Sequence, residues 1–191
     1  FELSPANART VMINSPIFSQ RKLRQLLALE DFANAHVRLD LFLREGEHLA
    51  VAVDRLCAQA EAAVRDGAVI LLLSDRFPGA GAIPVHALLA TGAIHLHLVH
   101  VGLRCDCNLI VETGTARDAH HFACLIGYGA TAVYPYLAYQ TLFDLGRSGA
   151  LKGKRGSERA ELGRSYRRGI KKGLLKIISK MGISTIGSYR G

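Results

Sequence analysis

The residues with the clearest chemical potential stand at the ends of two apolar runs. Ser74, Asp75 and Arg76 follow "AVILLL", and Glu112 and Thr113 close "CNLIVET". If both runs are parallel strands, their carboxyl ends meet at one edge of a sheet, the side on which open α/β sheets bind ligands. Carboxylates, hydroxyls and a guanidinium there could hold a metal, bind a ligand, face a neighbouring domain or serve packing alone.

A second candidate is a metal site made from the pattern H-x-H-x-x-H, which ends at His100, and the C-x-C pair Cys105 and Cys107. A structural zinc site needs four such groups in a tetrahedron. On a helix, His95 and His97 point to nearly opposite sides, so only His97 and His100 share a face. Packed or capping histidines are the favoured interpretation, and we predict no metal site.

Two further patterns carry weak chemistry. The stretch "DRFPGAGAIP" (75–84) places glycines between a predicted strand and a predicted helix, where phosphate loops occur. It matches neither G-x-G-x-x-G nor a Walker motif, and its one nearby cation is Arg76. Cys124 lies among apolar residues and reads as core. We therefore predict no catalytic and no cofactor-binding residue, and keep a stand-alone nucleotide- or metabolite-binding module as the alternative.

Hydrophobic periodicity predicts the elements that position these residues. Apolar runs predict strands near 37–43, 68–74, 108–113 and 130–133, and helical spacing predicts helices between them. Ser15-Pro16 is a typical helix start, and Thr115 with Asp118 resembles a capping box. The alternation predicts a three-layer α/β fold, with a mainly parallel sheet and helices on both faces, like a Rossmann domain.

Charge divides the chain into two parts. Residues 1–146 hold 11 Lys and Arg against 14 Asp and Glu, a net charge of −3, whereas residues 147–191 hold 13 against 2, a net charge of +11. We predict an α/β domain (1–146), a mobile linker (147–156) and a basic tail (157–191). The tail begins with a helix whose apolar stripe runs from Leu162 to Met181, and an extended segment (182–189) follows it.

The basic tail and the uncharged middle of the chain suggest partners that other features argue against. Aromatic residues for base stacking are few in the tail, so a solvated face or an acidic partner is favoured over nucleic acid. The uncharged window 77–103 holds four glycines, two prolines and four histidines, which argue against a membrane span. The four cysteines are not needed as disulfide staples, which favours the cytoplasm. The start at Phe1 suggests a fragment.

Three stretches of the sequence resemble the large subunit of bacterial glutamate synthase. They are "AVRDGAVILLLSDR" (63–76), "LRCDCNLIVETGTARDAHHFACLIGYGATAVYPYLAYQTL" (103–142) and "KGLLKIISKMGISTIGSYRG" (172–191). The resemblance covers nearly the whole chain in the family's order. It implies the central domain, which lies between a glutamine amidotransferase domain and an FMN-binding domain, together with the start of the segment leading into the FMN domain.

The resemblance also implies a parent enzyme that makes two glutamates from glutamine and 2-oxoglutarate with NADPH-derived electrons. That parent carries FMN and an iron–sulphur cluster and pairs with a small subunit, and ammonia passes inside it. The chain itself lacks the motifs for those cofactors. We therefore expect the carboxyl edge of the sheet to face neighbouring domains or the ammonia path. The residues expected on this face are Asp75, Arg76, Glu112, Thr113, His120, His121 and Tyr134.

Overall fold

The computed structural model describes residues 11–151 and 159–190. Its strands are β1 (His36–Asp40), β2 (Ile70–Ser74), β3 (Asn108–Glu112) and β4 (Ala132–Tyr134). Its α-helices are α1 (Gln20–Leu27), α2 (Glu30–Ala33), α3 (Leu49–Arg65), α4 (Ala87–His100), α5 (Ala119–Gly127), α6 (Tyr136–Ser148) and α7 (Arg159–Lys180). Two 3₁₀ turns cover Arg104–Asp106 and Ile186–Tyr189.

The four strands form one parallel sheet in the order β1-β2-β3-β4. This confirms the predicted parallel sheet and places each strand within about two residues of its predicted position, except that β1 ends at Asp40 rather than at residue 43. A doubly wound Rossmann sheet binds its ligand in a crevice at the point where the strand order reverses. The order of this sheet does not reverse, so its carboxyl edge has no such crevice. Any function of this edge must therefore come from its side chains and loops.

Side chains alternate between the two faces of the sheet, and each face has its own helices. Leu71, Leu109 and Val111 pack with α3, α4 and α5 in the larger core. Ile70 and Ile110, on the opposite face, pack with residues of α1 and α6 in a second core. The strands β2 and β4 are buried along their whole length, as expected for strands covered on both sides. The predicted three layers are confirmed.

Two predicted helix starts are wrong. Helix α1 begins after Ser19, whose hydroxyl accepts a hydrogen bond from the Lys22 amide. Pro16 is instead extended beside β4, because its carbonyl accepts from the Val133 amide at 2.8 Å. The N-cap of α5 is Asp118 itself, and His121, rather than Thr115, completes the capping box. The pairing of Pro16 with β4 is a tertiary contact that local sequence patterns do not reveal.

The basic helix α7 packs against α5 and α6. Leu162, Ile170 and Leu174 are buried, whereas Met181, at the end of the predicted stripe, is more than half exposed. Helix α6 continues through Ser148 and ends at Gly149, so the first two residues of the predicted linker are helical. Residues 152–156 of that linker lie outside the described residues.

The tail after α7 differs from the prediction. The expected extended segment contains the 3₁₀ turn Ile186–Tyr189 instead. Tyr189 and Ile186 pack against the larger core, which draws the chain into a turn over α5. No helix in residues 11–151 and 159–190 is both long enough and apolar enough to span a membrane.

Candidate functional site

Glu112, the last residue of β3, is the centre of a polar network at the carboxyl edge of the sheet. Its side chain is almost fully buried. Oε2 accepts a hydrogen bond from Ser74 Oγ at 2.6 Å, and Oε1 accepts one from Arg76 Nη1 at 3.1 Å. Arg38 Nη1, from β1, lies 3.6 Å from Oε2. A buried carboxylate is tolerated only with such partners, so this residue ties the ends of β2 and β3 to a side chain of β1.

Asp75 forms the second half of the network. Its Oδ2 accepts a hydrogen bond from Thr113 Oγ1, and its Oδ1 accepts one from the Gly114 amide at 2.9 Å. The hydroxyl of Tyr136 donates to the Asp75 carbonyl at 3.3 Å. Burial, with the negative charge of Asp75 beside the phenol, raises the pKa of Tyr136 to about 12. The phenol therefore stays a neutral donor at physiological pH.

Arg76 connects this network to the aromatic residues around it. Its guanidinium carbon lies 4.5 Å from the ring centre of Phe77, 5.4 Å from that of Tyr136 and 5.8 Å from that of Tyr134. These distances are within the range of cation–π attraction. Tyr134 thus joins the predicted group through its ring face. The oxygens of both carboxylates already have hydrogen-bond partners, an arrangement suited to holding the edge in one shape.

The two histidines do not join the network. His121 Nδ1 accepts hydrogen bonds from the amides of Arg117 and Asp118 at 3.3 and 3.4 Å, so it caps α5. His120 Nε2 lies 3.7 Å from Cys124 Sγ, one turn further along the helix. Both histidines line an open groove of about 570 Å³, which Gly114 and Leu137 also line. The predicted set therefore divides into five residues in the network and two on the adjoining groove.

Arg38 and Tyr136 belong to the network but were not predicted. Arg38 lies in the alternating run "HVRLDLFL", where its position indicates only a solvent-facing side chain. Its role depends on the pairing of β1 with β2, which places it near the end of β3. Tyr136 follows the last strand by two residues, and nothing in its spacing indicates a contact with Asp75. Only the strand order could have suggested either residue.

The histidines and cysteines considered for a metal are held apart. His95 Nδ1 accepts a hydrogen bond from Arg104 Nε at 2.8 Å, whereas His97 Nε2 lies 2.7 Å from Glu61 Oε2 on α3. Burial and the charge of Arg104 lower the pKa of His95. Cys105 is exposed and Cys107 is buried. In the described part of the chain, no three His, Cys, Asp or Glu side chains form a group that could hold a metal ion.

The glycine-containing loop after β2 does not have the geometry of a phosphate loop. Residues 41–43 run antiparallel to residues 83–85, with the Leu43 amide donating to the Ile83 carbonyl at 2.9 Å. Helix α4 begins only after this pairing, and His86 Nδ1 caps it by accepting from the Leu88 amide. The glycines therefore do not lead directly into a helix N-terminus, where a phosphate would bind.

The family model and the curated relatives agree on one family. The family model described as the glutamate synthase central domain matches residues 1–191. The chain is 40% identical to the ferredoxin-dependent chloroplastic glutamate synthase of Oryza sativa subsp. japonica, over 100% of this chain and 12% of that protein. It is 37% identical to the large chain of the Bacillus subtilis glutamate synthase [NADPH], over 98% of this chain and 12% of that protein.

A third relative is also a glutamate synthase, and one solved structure is weakly similar to the chain. The glutamate synthase [NADH] of Schizosaccharomyces pombe is 36% identical, over 100% of this chain and 9% of that protein. The chain thus spans about a tenth of the length of these curated relatives. A mutant flavocytochrome b2 with pyruvate bound is similar at a TM-score of 0.46 and 14% identity, over 89% of this chain and 42% of that chain. That likeness is too weak to bear on function.

Proposed function

The chain belongs to the glutamate synthase central domain family, and from this premise we propose that it is the central domain of a glutamate synthase large subunit. The observation that carries the proposal is the match of the family model to all 191 residues, within relatives about ten times longer. The parent enzyme would convert glutamine and 2-oxoglutarate into two glutamates. The chain would be one part of that oxidoreductase, inactive by itself.

Within the parent, the domain would connect the amidotransferase and FMN-binding domains. The face we assign to this role is the carboxyl edge of the sheet, with Asp75, Arg76, Glu112 and Thr113 as its rigid part and Tyr134 beside them. Because the buried carboxylates there bond to groups within the domain, the edge offers a fixed surface rather than a reactive one. His120 and His121, on the adjoining groove, would border the ammonia path.

The finer features of the parent belong to the same proposal. They are FMN and an iron–sulphur cluster in other domains, a small subunit, a cytoplasmic location, a bacterial type of enzyme and the division into 1–146, 147–156 and 157–191. NADPH is the electron donor we favour. The relatives are named for ferredoxin, NADH and NADPH, so the central domain is compatible with any of the three donors.

The bridging role is tested in the full-length enzyme by the coupling between its two reactions. His120→Ala changes an exposed groove residue outside the cap and the network, so folding should be retained. We expect the variant to form less glutamate per glutamine hydrolysed and to release ammonia, while glutamine hydrolysis itself continues. Arg65→Ala, on the outer side of α3, is the matched control and should stay coupled. Full coupling in both variants would contradict the assigned ammonia path.

The alternative function, a stand-alone nucleotide- or metabolite-binding module, has its own test. A ligand that binds only the folded chain raises its melting temperature, and the rise grows with ligand concentration. The 191-residue chain is heated with ATP, NADPH and FMN in turn. A concentration-dependent shift of several degrees with one of them would support the alternative, and unchanged melting with all three would favour the bridging domain.

A further inference from the structure

Phe77 has an unusual position at the carboxyl edge. Its φ is 66°, and it is the one non-glycine residue with a positive φ among residues 11–151 and 159–190. Bulky side chains rarely adopt this left-handed conformation, because Cβ then crowds the backbone. Its side chain is nevertheless 68% exposed. The fold therefore holds a large apolar side chain in a strained conformation without burying it.

The buried network explains how that conformation is held. The guanidinium carbons of Arg76 and Arg38 lie 4.5 and 5.6 Å from the ring centre of Phe77. Both arginines pair with the buried Glu112, and Arg38 Nη2 donates to the Arg76 carbonyl at 2.8 Å. The ring is thus supported by two cations that cannot easily move. Strain held in place by surrounding structure is typical of functional positions.

The far end of the loop is also tied to the rest of the domain. Its first residue, Arg76, belongs to the network, and its last residue, Ile83, accepts a hydrogen bond at its carbonyl from the Leu43 amide at 2.9 Å. Ile83 is itself 62% exposed. The loop 76–83 therefore projects two large apolar side chains from a frame tied at both ends. A preorganised loop loses little conformational entropy on binding, which is how rigid interface anchors gain affinity.

We propose that the loop 76–83 is a docking loop, and that Phe77 inserts into an apolar pocket on a neighbouring domain of the same longer chain. This inference rests on the proposed function and names the anchor of its interdomain face. The occupant follows from two observations. The chain spans only about a tenth of its relatives' length, so most of each relative lies outside this domain. The loop also continues the edge that we assign to the neighbouring domains.

Phe77→Asn should remove the proposed anchor without harming the fold, because asparagine tolerates a positive φ better than phenylalanine does. In the 191-residue chain, the variant should unfold at the same urea concentration as the wild type or a higher one. In the full-length enzyme, amides of the loop should exchange with solvent at least tenfold more slowly than in the 191-residue chain. Phe77→Asn should abolish that protection. The control is Leu96→Asn, which changes a 65% exposed residue of α4 and should leave the protection of the loop unchanged.

The possible results separate the inference from the proposed function. Equal exchange of the loop and of residues 113–117 in the full-length enzyme and the 191-residue chain would overturn both, because the edge would be uncovered. If the Phe77→Asn variant of the full-length enzyme keeps the amide protection of both the loop 76–83 and residues 113–117, Phe77 is not the anchor. The carboxyl edge would then still be an interdomain face. A Phe77-dependent dimer of the 191-residue chain in sedimentation would replace the neighbouring domain with a second copy as the occupant.

Discussion

The carboxyl edge and helix α7 are stabilised in opposite ways. At the edge, Glu112 and Asp75 are buried charges, and each needs directed hydrogen bonds from specific donors. Helix α7 carries most of its charges on its exposed side and is held by apolar packing of Leu162, Ile170 and Leu174. Polar networks depend on every partner, whereas packed surfaces depend on shape.

This difference has a practical consequence for substitutions. At the edge, changing one acceptor atom leaves buried donors without a partner, which is costly. Along α7 the helix approaches α5 closely at Gly173, where an added Cβ would overlap the Cβ of Ala119. The edge should therefore be sensitive to the loss of an acceptor, and the helix to the addition of a methyl group. The following substitutions test that contrast.

The largest effect is expected for Glu112→Gln. The amide keeps the size of the side chain but replaces one acceptor oxygen with a donor and removes the charge that faces Arg76 and Arg38. Breaking one side of a buried ion pair costs about 3 kcal/mol or more, and the partial exposure of both arginines favours the lower end. Urea unfolding of the 191-residue chain, followed by circular dichroism, measures the loss.

The control for this substitution is an ion pair outside the network. Arg147 Nη2 lies 2.7 Å from Asp144 Oδ1, and both side chains are at least half exposed. Exposed pairs contribute less than about 1 kcal/mol, so Asp144→Asn should change the free energy of unfolding little. Similar losses in the two variants would mean that the Glu112 network is solvated, and the contrast between the two regions would fail.

The second prediction concerns two glycines of α7 that the sequence does not distinguish. Gly173→Ala should destabilise the chain by about 2 kcal/mol, because overpacking forces α7 away from α5. Gly169, four residues earlier, has open space where its Cβ would be. Gly169→Ala should therefore stabilise the helix by up to about 1 kcal/mol. A gain in both variants, measured by thermal unfolding, would show that α7 does not pack closely on α5.

The order of elements could be predicted from the sequence because burial leaves a local pattern. The continuous apolar run of β2 and the three- or four-residue spacing of α3 each have one good structural solution. The helix start at Ser19 could not be placed, because extended pairing at Pro16 competes with a good local capping signal. A contact between Pro16 and Val133 has no trace in the residues near either one.

The candidate site was predictable only in part, for a related reason. Asp75 and Glu112 close adjacent parallel strands, so their meeting follows from the sheet. Arg38 enters the network because β1 pairs with β2, and a sequence pattern does not state the order of strands. The position of the histidines just after the edge in the chain predicts that they join it, but His121 caps α5 instead. Closeness along the chain did not predict which side chains bond.

The third and smallest loss, after those of Glu112→Gln and Gly173→Ala, is expected for Tyr166→Phe, which tests the one directed hydrogen bond seen between α7 and the segment before α5 in the described residues. The Tyr166 hydroxyl donates to the Arg117 carbonyl at 2.8 Å. Removing one such hydrogen bond costs about 1 kcal/mol at neutral pH, less than the loss expected for Glu112→Gln or for Gly173→Ala. Urea unfolding at pH 7 measures this difference between the wild type and the variant.

The same pair of proteins should respond differently to alkaline pH. Burial, with smaller effects from Tyr139 and Asp118, raises the pKa of Tyr166 above its ordinary value of 10.0. A phenol with a raised pKa ionises first in the unfolded chain, so its contribution to stability is complete below pH 10 and falls as the pH rises above it. Phenylalanine has no such proton, so the advantage of the wild type should shrink above pH 10 in urea unfolding at pH 7, 9 and 10.5. An advantage that stays constant would mean that Tyr166 is solvated and that α7 is not docked through this residue.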